Sequence, residues 1–161
     1  MEPEKLDAIK YMAALIDLRG VFYIQKRVPT KGSSVDRYVC WISFTVTQEE
    51  FRKLVYDTFS GFGIPLLQSR GAGGPLRVHV KGTHSLAPLC SLCLPYLKVQ
   101  KRKCELTLEM KQTILEMRKT ILDGKNIDRV AVRELNIKRA LIFTEFQSTR
   151  KTYVRTKTVK Q

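Results

Sequence analysis

Acidic side chains are scarce in this sequence. Only 15 aspartates and glutamates stand against 29 lysines and arginines, which leaves a formal charge of +14 on 161 residues. Such an excess repels itself unless a polyanion neutralises it. It favours a nucleic acid as partner or, less often, an anionic membrane surface. The chain has no apolar run near the roughly 20 residues that cross a bilayer, so no spanning helix is expected, and nucleic acid is preferred to a membrane as partner. Met1–Lys10 mixes Glu2, Glu4 and Asp7 with its apolar residues, unlike a secretory or transit leader, so the protein is expected to be made where it works or to have its leader outside this sequence. The expected location is therefore an organelle (mitochondrion or plastid) or the cytoplasm, and not the exterior.

Other absences narrow the chemistry. No Walker or dinucleotide glycine pattern occurs, and Gly71–Gly74 reads as a hairpin loop instead of a phosphate cradle. The 2 histidines, His79 and His84, have no evident paired base for nucleophilic catalysis. Cysteine is limited to 4 residues. Cys90-x-x-Cys93, with Cys104 and His84 nearby, has the residue types of a zinc set. Yet Cys90 and Cys93 lie inside the apolar stretch Leu89–Leu94, where cysteine behaves as a small hydrophobe. Thiols of that kind suit a reducing compartment. No metal and no cofactor is expected.

What is present is enough for one core, since 43% of the residues are hydrophobic. Helical spacing of Leu6, Ile9, Ala13 and Ile16 predicts a helix over Pro3–Leu18, ended by Gly20. Strands are predicted over Val21–Arg27 and Arg37–Thr47, joined by a turn at Pro29–Ser34. A helix over Gln48–Phe59 and a hairpin of Ile64–Ser69 with Leu76–Lys81 follow. Thr83 would cap a short helix over Ser85–Leu94, which Pro95 breaks. Longer helices are predicted over about Val99–Leu122 and Asp128–Phe146. The tail from Thr149 has Arg150, Lys151, Arg155, Lys157 and Lys160 and no acid, and reads as an extended arm. The domain would span 1–147, with a core over about 3–122, a helical extension over about 126–147 and the basic tail over 148–161. The class is α+β, with helices on one face of a curved, mainly antiparallel sheet.

The other sheet face would be polar and cationic. Leu76, Val78 and Val80 alternate with Arg77, His79 and Lys81; Phe22 and Ile24 alternate with Tyr23, Gln25 and Arg27. In the second strand Cys40, Ile42, Phe44 and Val46 alternate with Trp41, Ser43, Thr45 and Thr47. Alternation of this kind most often makes a solvated face. Long cationic and amide side chains there can also meet phosphates and base edges together.

At the end of the first helix, Met12-Ala13-Ala14-Leu15-Ile16-Asp17-Leu18-Arg19-Gly20 and the following Val21-Phe22-Tyr23-Ile24 resemble the LAGLIDADG motif of homing endonucleases and intron maturases. Phe44-Thr45-Val46-Thr47-Gln48 resembles the end of that family's second strand. Leu94-Pro95-Tyr96-Leu97-Lys98 precedes a long helix, as in single-motif members. The likeness covers about Leu6 to Leu122 and implies an αββαββα core. In the family, an acid just before the motif glycine holds the divalent metal that activates water for phosphodiester cleavage. Here that position is Arg19, a guanidinium that would repel the metal. Asp17 lies about 200° around the helix from it and is a poor substitute.

The resemblance further implies that Gln48 and Arg52 occupy the positions that order water and contact phosphate. The family's basic residue falls at Gln100, flanked by Lys98 and Lys101. The candidate nucleic-acid contacts are thus Arg19, Tyr23, Gln25, Arg27, Gln48, Arg52, Arg70, Arg77, His79, Lys81, Lys98 and Lys101, with Arg150, Lys151, Arg155 and Lys157 in the tail. Three functions fit. One is a non-cutting binder of structured RNA, as an organellar ribosomal component or intron-splicing cofactor, monomeric and free of cofactor. The second is a homodimeric, Mg-dependent endonuclease of duplex DNA. The third is a DNA-binding regulator on the same fold. Arg19 favours the binder, and the basic tail favours RNA.

Overall fold

A computed structural model describes residues 3–27, 36–122 and 128–158, with side chains described over 3–27, 36–121 and 128–149. The elements are α1 (Pro3–Arg19), β1 (Gly20–Arg27), β2 (Arg37–Val46), α2 (Glu49–Ser60), β3 (Leu67–Arg70), β4 (Leu76–Lys81), α3 (Thr83–Cys93), a 3-10 turn (Leu94–Tyr96), α4 (Lys101–Leu122) and α5 (Arg129–Thr158). The four strands form one antiparallel sheet in the order β1-β2-β4-β3. The expected α+β class and αββαββα order are present. The turn expected at Pro29–Ser34 and the side chains of Arg150, Lys151, Arg155 and Lys157 lie outside the described residues.

The apolar set of each strand shares one face. Phe22 pairs with Ile42 and Ile24 with Cys40; Ile42 pairs with Val80 and Phe44 with Val78. All seven are buried, and Met12 and Ile16 of α1 join them in the core with Leu86 and Leu89 of α3. Met12, Ala13 and Ile16 repeat at the three- and four-residue spacing of a helix face. Phe59 of α2 meets Phe44 edge to face, with ring centroids 5.3 Å apart. From α5, Ile142 and Phe146 enter the same core. Arg139 of that helix is buried against β2: its Nη2 donates to the Asp36 carbonyl at 2.6 Å, and its guanidinium lies over the Tyr38 ring.

Gly20 joins α1 to β1 where there is no space for a side chain. A Cβ there would stand 2.7 Å from the Ile16 carbonyl oxygen and 2.8 Å from Ile42 Cδ1. The helix can therefore turn straight into β1, at the edge of the sheet, only with glycine at this point.

Three expectations need correction. Strand β3 starts at Leu67 and not at Ile64, because Ile64 turns into the core and Pro65 has no N–H to donate. Thr83 is inside α3 and does not cap it; Gly82 holds the cap position at φ +96°. The chain past Phe146 is not an extended arm: α5 continues to Thr158. No glycine or proline occurs from Asp128 onward, so nothing in the sequence stops the helix. Its start is set by Asp128, whose Oδ1 accepts the N–H groups of Val130 at 2.9 Å and Ala131 at 3.1 Å.

Candidate nucleic-acid interface

The antiparallel register builds the open sheet face from cross-strand rows. Tyr23, Trp41 and Lys81 form one row; Val21, Ser43, His79 and Leu67 form the next; Thr45, Arg77 and Ser69 form a third. Gln25 pairs with Val39 and Arg27 with Arg37 toward the other end. Arg27, Arg37, Arg77 and Lys81 are all exposed. Cations are thus spread over three strands of one surface.

Two features are built into that face. The Tyr23 and Trp41 rings lie parallel within 8°, with centroids 5.0 Å apart. Beside them, a depression of about 360 Å³ is lined by Gln25, Arg27, Trp41, Leu67, Gln68, Ser69, His79 and Lys81. His79 Nε2 sits 2.5 Å from the Ser69 hydroxyl, while its Nδ1 is buried with no partner among the described residues. Burial, then the charges of Arg77 and Lys81, push the His79 pKa below the ordinary imidazole value. Burial and the two neighbouring cations thus favour the neutral ring.

A second cleft, of about 430 Å³, opens where α1 ends. Asp17 to Phe22, Thr45, Thr47, Gln100 and Lys103 line it. Val21 and Thr45 belong to the open face, so cleft and face are continuous. Arg19 and Lys103 supply its positive charge. Asp17 supplies the only carboxylate, and that group is engaged elsewhere: Oδ2 accepts the Lys98 N–H at 2.7 Å, and Oδ1 accepts those of Val99 at 3.2 Å and Gln100 at 2.8 Å. These amides lead directly into α4. Asp17 therefore fastens the chain before α4 to the end of α1 and faces the positive, N-terminal end of α4. Buried Gln100 has an Oε1 atom with no partner among the described residues.

The structure groups most of the residues singled out from sequence and separates a few. Tyr23, Gln25, Arg27, Arg77, His79 and Lys81 share the open face, and Arg19 lies at the cleft. Gln48 is exposed at the position before α2. Arg52 is held by Glu49 through an ion pair and lies over the Tyr56 ring, so its charge is partly spent within the helix. Arg70 pairs with Leu76, a member of the apolar set, and so stands apart from the cationic row at the sheet's edge. Lys98 and Lys101 are exposed at the α4 entrance, but the cation that lines the cleft is Lys103. Sequence reasoning missed Lys103 because it looked beside Gln100; one helical turn carries a side chain from Gln100 to Lys103 on the same face. It also missed Trp41 as more than a strand residue.

The cysteines are core residues. Cys40, Cys90, Cys93 and Cys104 are buried and unpaired by disulfides, and burial pushes the thiols of Cys40 and Cys93 up to about 12. Among the described residues no group of three histidine, cysteine or acidic side chains is placed to hold a metal ion. No helix among them is long and apolar enough to cross a membrane.

No family sequence profile matches this chain, and no curated protein matches it in sequence. Its fold matches solved structures of homing endonucleases. I-CvuI, in complex with its target in the presence of calcium, aligns over 88% of this chain and 83% of its own, with a TM-score of 0.65 and 12% identity. The archaeal intron-encoded I-Vdi141I, complexed with DNA, aligns over 91% and 98%, at 0.58 and 14%. The LAGLIDADG homing endonuclease I-GzeII, with its DNA target, aligns over 82% of this chain and 43% of its own, at 0.59 and 14%. The chain has the LAGLIDADG-type fold.

Proposed function

We propose that the protein is a non-catalytic nucleic-acid-binding protein on the LAGLIDADG fold. Its partner would be structured RNA, in the role of an organellar ribosomal component or intron-splicing cofactor. The observation that carries this reading is the cleft at the end of α1, where Arg19 and Lys103 stand and the nearby Asp17 carboxylate is turned to three backbone amides. Such a cleft attracts phosphate and disfavours a divalent cation. The open face extends the same charge over three strands. RNA is preferred to duplex DNA because aromatic and amide groups share that face with the cations, as suits unpaired bases. In this reading the protein needs no cofactor and acts as a monomer, alone or among the proteins of a ribonucleoprotein, in an organelle or the cytoplasm.

A second reading has one observation in its favour: several solved proteins that share the fold are homing endonucleases in complex with DNA, some with calcium or magnesium present. Under it the chain would be a homodimeric nuclease using Mg²⁺. A regulator that binds duplex DNA without cutting would use the same face. Incubation with Mg²⁺ or Mn²⁺ and a randomised duplex library separates the first two. Binding without cleavage is expected, and a reproducible double-strand break overturns the proposal. Sequencing the nucleic acid that copurifies with the protein then decides between RNA and DNA.

A further inference from the structure

We infer that the depression beside Trp41 is a binding site for a single unstacked nucleobase of a single-stranded segment. This rests on the nucleic-acid-binding reading above and names the form of ligand it takes. Tyr23 covers one face of the Trp41 ring in a parallel stack, and Trp41 itself borders the 360 Å³ depression together with Lys81, its register partner on β4. The volume suits a small planar ligand. Trp41 offers a π surface; Gln25, Ser69 and His79 line the same space and offer donors and acceptors to a base edge. Arg27 and Lys81 bring positive charge to the rim, where the phosphates flanking a base would lie. No acidic residue lines the space.

A base inside a duplex cannot use such a site, because its neighbours cover both of its faces and its pairing partner covers its edge. A splayed base has all three surfaces to offer, and its stacking on Trp41 would extend the Tyr23–Trp41 pair by one ring. The cationic rows alone would serve any polyanion. The aromatic pair with an adjoining depression discriminates between paired and unpaired strands.

Trp41 is the single tryptophan of the chain, so its fluorescence reports on this site alone. The full-length protein is titrated with oligouridylate, with the same strand carrying abasic residues in place of its bases, and with a duplex of oligouridylate and oligoadenylate. The single strand should quench Trp41 emission, and the duplex and abasic strand should not. Replacing Trp41 by alanine should weaken single-strand binding by about tenfold to a hundredfold, far more than it weakens duplex binding, and Trp41→Phe should retain most of the single-strand affinity. Equal affinity for the oligouridylate and its abasic counterpart, with no selective quenching, would overturn the inference; this arm stands even if Trp41→Ala does not fold. Binding to all three polyanions without quenching sinks the base site alone. Failure to bind any of them, at low as at moderate salt, removes the underlying nucleic-acid reading as well.

Discussion

Asp17 Oδ1 accepts the backbone N–H of Gln100 at 2.8 Å across a sequence separation of 83 residues. With Lys98 and Val99 donating to the same carboxylate, one acid at the end of α1 fixes how α4 begins. Loss of this clamp should destabilise the fold by about 2–4 kcal/mol in Asp17→Ala, since charged hydrogen bonds contribute about 1.5–3 kcal/mol each and are not additive here. Asp17→Asn retains acceptor capacity on one oxygen and should lose less. Urea denaturation of the three proteins checks the order. An unchanged midpoint in Asp17→Ala would return Asp17 to the status of a surface residue.

Gly20 gives a steric prediction at the adjoining position. An alanine Cβ would meet the Ile16 carbonyl oxygen at 2.7 Å, and backbone cannot withdraw as a flexible side chain can. Gly20→Ala should cost about 1–3 kcal/mol, the range for overpacking a well-filled interior. The loss should appear as a lower denaturation midpoint with an unchanged slope.

These two positions show where sequence reading succeeds and where it stops. Alternation in β1, β2 and β4 placed Phe22, Ile24, Cys40, Ile42, Phe44, Val46, Val78 and Val80 in the core correctly, because a strand buried on one face must repeat every second residue. Gly20 was legible as the end of a helix, but its contact with Ile42 belongs to the sheet and is invisible along the chain. Asp17 looked like an ordinary polar residue near a helix end; its partners lie on a segment whose proximity only the fold creates. The Tyr23–Trp41 stack follows from a register that pairing, not composition, decides. The continuation of α5 was misread because a run of lysine and arginine suits a solvated arm and a helix alike.

The cationic rows make binding depend on salt. Arg27, Arg77 and Lys81 are exposed on one face. If each meets a phosphate, neutralising any one should reduce the slope of log K against log salt by about 0.7–0.9. Arg70→Gln, on a residue paired with Leu76 at the sheet's edge, should change the slope less. Fluorescence anisotropy over a salt series measures both. Slopes that ignore Arg27, Arg77 and Lys81 would place the interface elsewhere.

His79 gives the protein a pH dependence of definite sign. Burial, then Arg77 and Lys81, hold its folded pKa below the unfolded value near 6.5. As pH falls through about 6.5 the unfolded chain takes up the proton first, so this group lowers stability progressively and has its full effect below the folded pKa. Bound phosphate reverses the repulsion and should raise that pKa, so nucleic-acid affinity should increase as pH falls. Denaturation midpoints and affinities between about pH 7.5 and 5.5 test both trends, and His79→Gln should flatten each.

Arg19 bears on whether two copies associate. Along α1, Tyr11 is 45% exposed and Leu18 78% exposed, with exposed Ala14 between them at helical spacing. This stripe is apolar enough to pair with its own copy, and Arg19 stands at its end. In an arrangement that sets two α1 helices side by side about a twofold axis, the paired guanidiniums would meet. At about 6 Å and an effective dielectric near 20 they would repel by roughly 3 kcal/mol. Among the described residues the nearest acid along α1 is Asp17, and its oxygens face the amides of residues 98–100 instead. Free protein should therefore sediment as a monomer, or dimerise only when phosphate lies between the two arginines. Arg19→Asp removes the repulsion between cations but sets two carboxylates in their place, so Arg19→Gln is the cleaner comparison and should dimerise more readily without nucleic acid. Analytical ultracentrifugation at moderate salt compares the forms. A tight wild-type dimer, unchanged by either substitution, would mean that Arg19 does not stand at the meeting point of two copies.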